Sequence, residues 1–433
     1  MIPVLLLVCV GGLMHAVRSY TGGLEGGAEL AFGYLLLAAF LTGKVLSRFG
    51  LPKLTGYLLA GIASGAGLGF ITKDMTHSLK VVSDLAICVL ALQAGSELNL
   101  KRLRPIMPTL RSMTLFAVVG AQVLIAAALF VLGPILGLLP FFKTMDLTQM
   151  LAVCFVIAVA LSAQSPAVMM ALLAETGAEG PLSQVMLGSV VLADFVVLLV
   201  FSAASTVTSA VIGGGVDVIE AALSVAWELL GSVVFGIAVG MLIGRYLISI
   251  KRGASLFAVL VCVVVAEIGT NIRLDSLIVM LAAGIWLENF SKANAHDLMH
   301  GFESAQLPVF LVFFALAGSK IDLEQLYLAI VPVLVIVATR AASFYMGSKI
   351  ACARTGAAPV VTKYAWFGLV PQSGLALALA TLVRETFPSF GEQAATVVFG
   401  VVATNEVIAP VVLRLMILRS GEAGKRAAVP LGH

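Results

Sequence analysis

Charge is scarce in this chain of 433 residues: Asp, Glu, Lys and Arg together make up 11%, against roughly 25% in a soluble domain. That scarcity excludes a water-covered surface of ordinary size, and a net charge of +3 gives no field strong enough to hold nucleic acid. Cysteine is also sparse, with 5 residues and no CxxC or Cys–His spacing, so neither a disulfide framework nor a zinc site is expected. No polar stretch is long enough for a soluble domain, the longest being the tail from Arg419 to His433. A phosphate-cradling glycine loop, a GxSxG elbow and a dinucleotide fingerprint in its βαβ setting are all missing. ATP drive, hydrolysis and a bound cofactor therefore have no support, and no enzyme is expected. The start, Met1-Ile-Pro-Val-Leu-Leu-Leu, lacks the basic region of a cleaved signal peptide and reads as a retained first helix.

What the chain has instead is apolar surface: 60% of residues are hydrophobic and the mean hydropathy is +1.08. Lipid is the solvent this composition demands, and a spanning helix needs about 20 mostly apolar residues. Fourteen such segments are expected, at 2–17, 30–47, 55–71, 81–97, 112–134, 148–173, 182–206, 219–245, 254–270, 274–290, 304–319, 326–348, 361–383 and 393–417; thirteen is the nearest other count. With fourteen, eighteen of the 26 Lys and Arg residues fall on one side and seven on the other, with Arg340 inside a segment. The basic excess marks the cytoplasmic side, which puts both termini in the cytoplasm.

The chain also repeats itself. Ala94-Gly-Ser-Glu-Leu-Asn-Leu100 returns as Ala317-Gly-Ser-Lys-Ile-Asp-Leu323, an offset of 223, and Ala60-Gly61-Ile62 returns at that offset as Ala283-Gly284-Ile285. Gln164-Ser165-Pro166 matches Gln372-Ser373-Gly374, and each pair leads on to Glu-Thr, at Glu175-Thr176 and Glu385-Thr386. Gly188 matches Gly400, which lays Ala193-Asp194 over Asn405-Glu406. Matches in the same order pair the first segment with the eighth, through to the seventh with the fourteenth. Seven is odd, so the second half enters the membrane from the opposite side, the inverted-topology repeat of secondary transporters. The expected halves are 1–206 and 219–417, with core helices about 112–206 and 326–417, followed by a short cytoplasmic tail, 418–433.

Two segments carry their own interruption. The sixth reads Ser162-Ala-Gln164-Ser165-Pro166, and its partner, the thirteenth, reads Pro371-Gln372-Ser373-Gly374. Proline removes a donor and glycine weakens a helix, and opened backbone is tolerated in a membrane only where it is buried in protein or lines a cavity. A simple proline kink is the competing reading for either one alone. Asp194, inside Val190-Val-Leu-Ala-Asp-Phe-Val-Val, costs about 2.5–3.5 kcal/mol at a bilayer centre on insertion scales. Such a carboxylate can hold a proton or a small cation. Arg340, within Val-Ala-Thr-Arg-Ala-Ala-Ser, is expected either as counter-charge to Asp194 or Glu406 or as a local support for opened backbone. Glu406 reads as a second titrating group or as an ion-pair anchor, with Asn405 beside it as a neutral ligand.

The segments Leu54 to Ile62, Leu90 to Leu100, Ser162 to Thr176, Gly188 to Val200, Pro308 to Leu323 and Leu369 to Ala380 resemble, in order and spacing, the monovalent cation:proton antiporter-2 family of Kef-type and NapA-like exchangers. The resemblance implies an all-α polytopic fold of two inverted repeats, in which two broken, crossing helices form a core domain that rocks against a dimerisation domain. It implies exchange of Na+ or K+ for H+ by a homodimer in a bacterial inner membrane, with room for a separate regulatory subunit. On the family's pattern Asp194 is the ion- and proton-binding aspartate, Ser162, Gln164 and Ser165 belong to the first crossover, Gln372 and Ser373 to the second, and Arg340 stands where a basic residue is usual. One departure matters: the family pair is Asp-Asp, Asn-Asp or Gln-Asp, and here it is Ala193-Asp194. The missing polar partner points to electroneutral exchange. A sodium-coupled symporter of an organic anion, with bile-acid-carrier-like architecture, is the alternative, and an ion channel or sensor a third.

Overall fold

The computed structural model describes residues 2–20, 28–72, 75, 79–96, 98–135, 142, 145–212, 223, 226–250, 254–272, 274–292, 308, 311–319, 330–372 and 374–425. Ser373, expected at the second crossover, lies outside them. Every described element is helical, and each of the fourteen expected segments holds helix within its described part. Among the described residues, six stretches are long and apolar enough to cross a membrane: Arg104–Ile135, Leu147–Thr176, Pro181–Ile212, Ser232–Ser249, Ile330–Thr355 and Gly391–Ser420. Shorter apolar helices include Ser276–Phe290 and Asp84–Ser96. The count of fourteen crossings is therefore not reproduced by length alone among the described residues.

The side chains are sorted for lipid. Large apolar groups such as Val8, Leu13, Val234 and Leu256 are exposed, while Gln122, Gln164, Asp194, Arg340, Gln372 and Glu406 are buried. A bilayer offers no partner for a polar group, so polarity turns inward.

The helices gather into two compact units, and each unit takes one stretch from each expected half. The first comprises 1–102 and 226–322, the second 103–225 and 323–433. In the first unit, the helix Ser276–Phe290 packs against Lys80–Ser96 and Ser232–Ser249. Asp275 starts it by accepting the Leu277 and Ile278 N–H groups at 2.8 and 3.1 Å, which supplies donors otherwise orphaned at a helix start. Glycines permit close approaches between helices of this unit. A Cβ on Gly61 would run into the Ala315 carbonyl, and one on Gly318 into that of Leu58. A Cβ on Gly284 would meet the Leu92 carbonyl, and one on Gly95 that of Leu281. The offset of 223 carries Gly61 to Gly284 and Gly95 to Gly318, so it turns the first close contact into the second.

In the second unit, the helices Pro181–Ile212 and Gly391–Ser420 have 32 and 30 residues. At 1.5 Å per residue each is about 45 Å long, enough to pass a hydrocarbon core of about 30 Å with tilt. The helix Leu147–Ser162 opens with a capping box, in which Asp146 accepts from the Gln149 N–H at 2.8 Å and Gln149 accepts from the Asp146 N–H at 3.2 Å. The helix Ile330–Thr355 packs beside Gly120–Ile135 and the π-helical turn Thr114–Val119.

Candidate functional site

Both expected interruptions exist, and both lie in the second unit. The helix Leu147–Ser162 stops, and Pro166–Thr176 starts after three non-helical residues. Pro166 has no N–H and disfavours helical dihedrals in the residue before it; Ser165 accordingly sits at φ −131°, ψ 100°. Its hydroxyl accepts the Val168 N–H at 3.2 Å and caps the new helix. In the second interruption the helix Pro359–Tyr364 tightens into the 3-10 turn Ala365–Leu369, leaves helical geometry around Pro371 and Gln372, and resumes at Gly374–Thr386.

Interrupting a helix frees carbonyls, and one side chain collects them from both places. Arg340, 1% exposed, donates from Nε to the Leu161 carbonyl at 2.5 Å and from Nη2 to the Ala163 carbonyl at 3.2 Å. Its Nη1 donates to the Val370 carbonyl, across at the second interruption, at 3.2 Å. The planar five-donor fork of arginine suits such divergent acceptors, where the point charge of lysine does not. The Phe344 ring lies 5.0 Å from the guanidinium carbon, within cation–π reach. Of the two expected roles of Arg340, counter-charge or backbone support, its bonds match the second: its hydrogen-bond acceptors among the described residues are these three carbonyls.

The Leu161 carbonyl has a second donor, Gln372 Nε2 at 2.9 Å, and Gln372 Oε1 accepts in turn from Asn405 Nδ2 at 2.7 Å. Ser162 donates its hydroxyl proton to the Val159 carbonyl at 2.7 Å and so accepts from Gln122 Nε2 at 3.2 Å. Gln164 Nε2 donates to the Ser162 carbonyl. Both amide nitrogens are thereby committed, and the Gln122 and Gln164 side-chain oxygens are buried with no donor among the described residues. The structure thus places two hydrogen-bonded sets at the interruptions, Arg340, Gln372 and Asn405 joined through the Leu161 carbonyl and Gln122, Ser162 and Gln164 joined through Ser162, while Ser165 caps the helix that follows.

The two carboxylates stand on the long helices. Asp194, 2% exposed, lies thirteen residues into Pro181–Ile212, about 20 Å from its start at 1.5 Å per residue. That helix packs on Leu147–Ser162 and on the 3-10 turn of the second interruption. Glu406, 4% exposed, has one carboxylate oxygen without a partner among the described residues. Pro410 follows four residues later within the same helix, so the Glu406 backbone carbonyl also lacks its helical N–H.

Gln122 escaped the sequence reading. A lone amide in Gly120-Ala-Gln-Val-Leu-Ile-Ala is a recognisable signal, because polar residues within membrane segments face protein or function. It stands on the fifth segment and Arg340 on the twelfth, the partner segments of the repeat, and both reach the first interruption. Also unforeseen is Glu422, buried at 3% near the chain's end. Among the described residues no cluster of His, Cys, Asp and Glu fit to hold a resident metal ion occurs.

The sequence family described as sodium/hydrogen exchanger, transmembrane, matches residues 35–419. Solved structures agree on the fold. One structure of the sodium proton antiporter MjNhaP1 from Methanocaldococcus jannaschii, at pH 8, superposes with a TM-score of 0.62 at 13% identity, covering 90% of this chain and 98% of that one. Another structure of MjNhaP1, from electron microscopy, gives 0.69 at 14% identity, covering 91% and 98%. The family match spans most of the chain and accords with the resemblance read from the motifs, so this integral, multi-pass membrane protein belongs to the sodium/hydrogen exchanger family of cation:proton antiporters.

Proposed function

We infer that this chain exchanges Na+ or K+ for H+, one for one, with both ions competing for the Asp194 carboxylate in alternating access. A carboxylate that trades a proton for a monovalent cation carries the same net charge in either loaded form, so the cycle is electroneutral. Ala193 adds no second charge beside it. Neutral oxygens for a partly dehydrated cation come from the crossover residues Ser162, Gln164, Ser165, Gln372 and Ser373, with Asn405 from the second half, where Glu406 adds a carboxyl group. Arg340 supplies a positive charge anchored to backbone rather than one that leaves with a proton. The observation that carries this reading is that two helices interrupted at matching places have their freed carbonyls held by one buried guanidinium, in the same compact unit as buried Asp194. MjNhaP1, similar in fold, is a sodium proton antiporter, which supports Na+ among the cations. The working form on this reading is a homodimer in a bacterial inner membrane, both termini cytoplasmic, as the basic-residue bias suggests.

Proteoliposomes loaded with a pH-sensitive dye test it. A cation pulse should dissipate an imposed ΔpH without generating a membrane potential, and Asp194→Asn should abolish the signal while leaving the protein folded. Exchange by that variant at the parent's rate would end the reading. Sodium uptake that depends on an organic anion and moves no protons would favour the symporter instead.

A further inference from the structure

The helix that carries Asp194 begins without a capping side chain of its own. Gly180, the residue before Pro181, has no side chain with which to accept the free N–H groups of the first turn. The acceptor arrives from 240 residues away. Glu422 Oε1 accepts the Leu182 N–H at 2.8 Å, and Oε2 accepts the Ser183 N–H at 2.8 Å and the Ser183 hydroxyl at 2.7 Å. A Cβ at position 180 would run into the Glu422 side chain, so glycine there is what lets the carboxylate in. The backbone is joined as well: the Glu179 N–H donates to the Glu422 carbonyl at 3.2 Å, and the Gly424 N–H to the Thr176 carbonyl at 2.9 Å. Just before this segment, Arg414 Nε lies 3.6 Å from a Glu175 carboxylate oxygen. The end of Gly391–Ser420 is therefore fastened to the corner between Pro166–Thr176 and Pro181–Ile212. Those three helices carry, further along, Asn405 and Glu406, the first interruption, and Asp194.

We propose that Glu422 is a positioning residue for transport, which holds the Asp194 helix in register with the Asn405–Glu406 helix. A helix is stiff along its axis, so a carboxylate pinning the first turn fixes both the depth and the rotation of a group thirteen residues on. A negative charge at that end also faces the partial positive charge of the helix start, which adds electrostatic attraction to the three hydrogen bonds. The inference rests on the exchange reading above, since transport is where its effect is read.

The test uses the full chain. Exchange of the Leu182 and Ser183 amide hydrogens is measured alongside the KM and Vmax for Na+ in proteoliposomes, for the parent, Glu422→Ala, Glu422→Gln and Ser183→Ala. In Glu422→Ala the amides should exchange at least about tenfold faster, and the KM should rise about fivefold with Vmax near the parent's, the scale of a lost cap. Glu422→Gln, which keeps one acceptor oxygen, should fall between. Should Glu422→Ala not fold, Ser183→Ala removes one of the three bonds and should raise KM about twofold. Faster amide exchange with unchanged KM, or a loss of Vmax alone, would show an ordinary structural cap and overturn the proposal. A parent that moves no cations sinks the exchange reading instead, so the two failures are distinguishable.

Discussion

Asn405 donates its side-chain amide to Gln372 Oε1 at 2.7 Å, and the residue that the repeat places opposite Asn405 is Ala193, which has nothing to donate to Gln164. The two interruptions are thus alike in sequence and unlike in bonding. In the second half the glutamine oxygen has a donor; in the first half it is buried with no donor among the described residues, on the side of the repeat that holds Asp194.

That difference predicts that matched truncations separate in transport rather than in stability. Asn405→Ala strands the buried Gln372 oxygen and should lower stability by about 1–3 kcal/mol, the cost of an unsatisfied buried group. Gln164→Ala removes an oxygen that has no donor among the described residues together with the Nε2 donor of the Ser162 carbonyl, so it should cost a similar amount in stability and raise the cation KM more. Thermal unfolding in detergent and Na+ titration of exchange read the two quantities separately.

Arg340→Ala strips donors from three buried carbonyls and should destabilise by about 3 kcal/mol or more, since bonds to a charged group are worth roughly 1.5–3 kcal/mol each. Arg340→Lys keeps the charge and loses the fork, so its melting temperature should lie between those of the parent and the alanine variant. Equal melting temperatures for the lysine variant and the parent would mean that charge alone, and not the three-way geometry, matters here.

Gln122→Leu should leave stability within about 1 kcal/mol of the parent, because it removes a buried donor and a buried acceptor together while Ser162 keeps its bond to Val159. Its expected effect is on transport, as a several-fold higher KM for cation with Vmax retained. A parent-like KM would take Gln122 out of the ion path.

The glycine contacts in the first unit make a stability prediction independent of transport. Gly61→Ala and Gly284→Ala push a methyl group into a facing carbonyl and should each cost about 1–3 kcal/mol, the usual penalty of overpacking. Gly33→Ala, on the helix Ala28–Arg48 with nothing within 4 Å of the new atom, should be neutral or stabilising, by up to about 1 kcal/mol of helix propensity. Melting temperatures of the purified variants check the contrast.

Much of this is legible in the sequence. Pro166 and Pro371 interrupt their helices because a missing donor and a steric clash act within one turn, wherever the chain folds. Asp194 lies buried in mid-helix because a long apolar run leaves a lone carboxylate no other place. The echo of Ala60-Gly61 in Ala283-Gly284 foretold two matching segments, although nothing in it said that the glycines would meet facing carbonyls. Arg340 is recognisable as costly, while its acceptors are not, since the long, flexible side chain that carries the guanidinium can reach in many directions. Gln122 was overlooked for want of a motif around it.

Composition, helix periodicity and proline chemistry act over a few residues, and from them alone followed a lipid-embedded bundle, the places of its helices, the two interruptions and the buried charges. Partnerships across 177 to 240 residues, Arg340 with Leu161 and Ala163 and Glu422 with Leu182 and Ser183, belong to the folded chain. A hydrogen bond is set by distance and angle in space, and separation along the sequence carries no record of either.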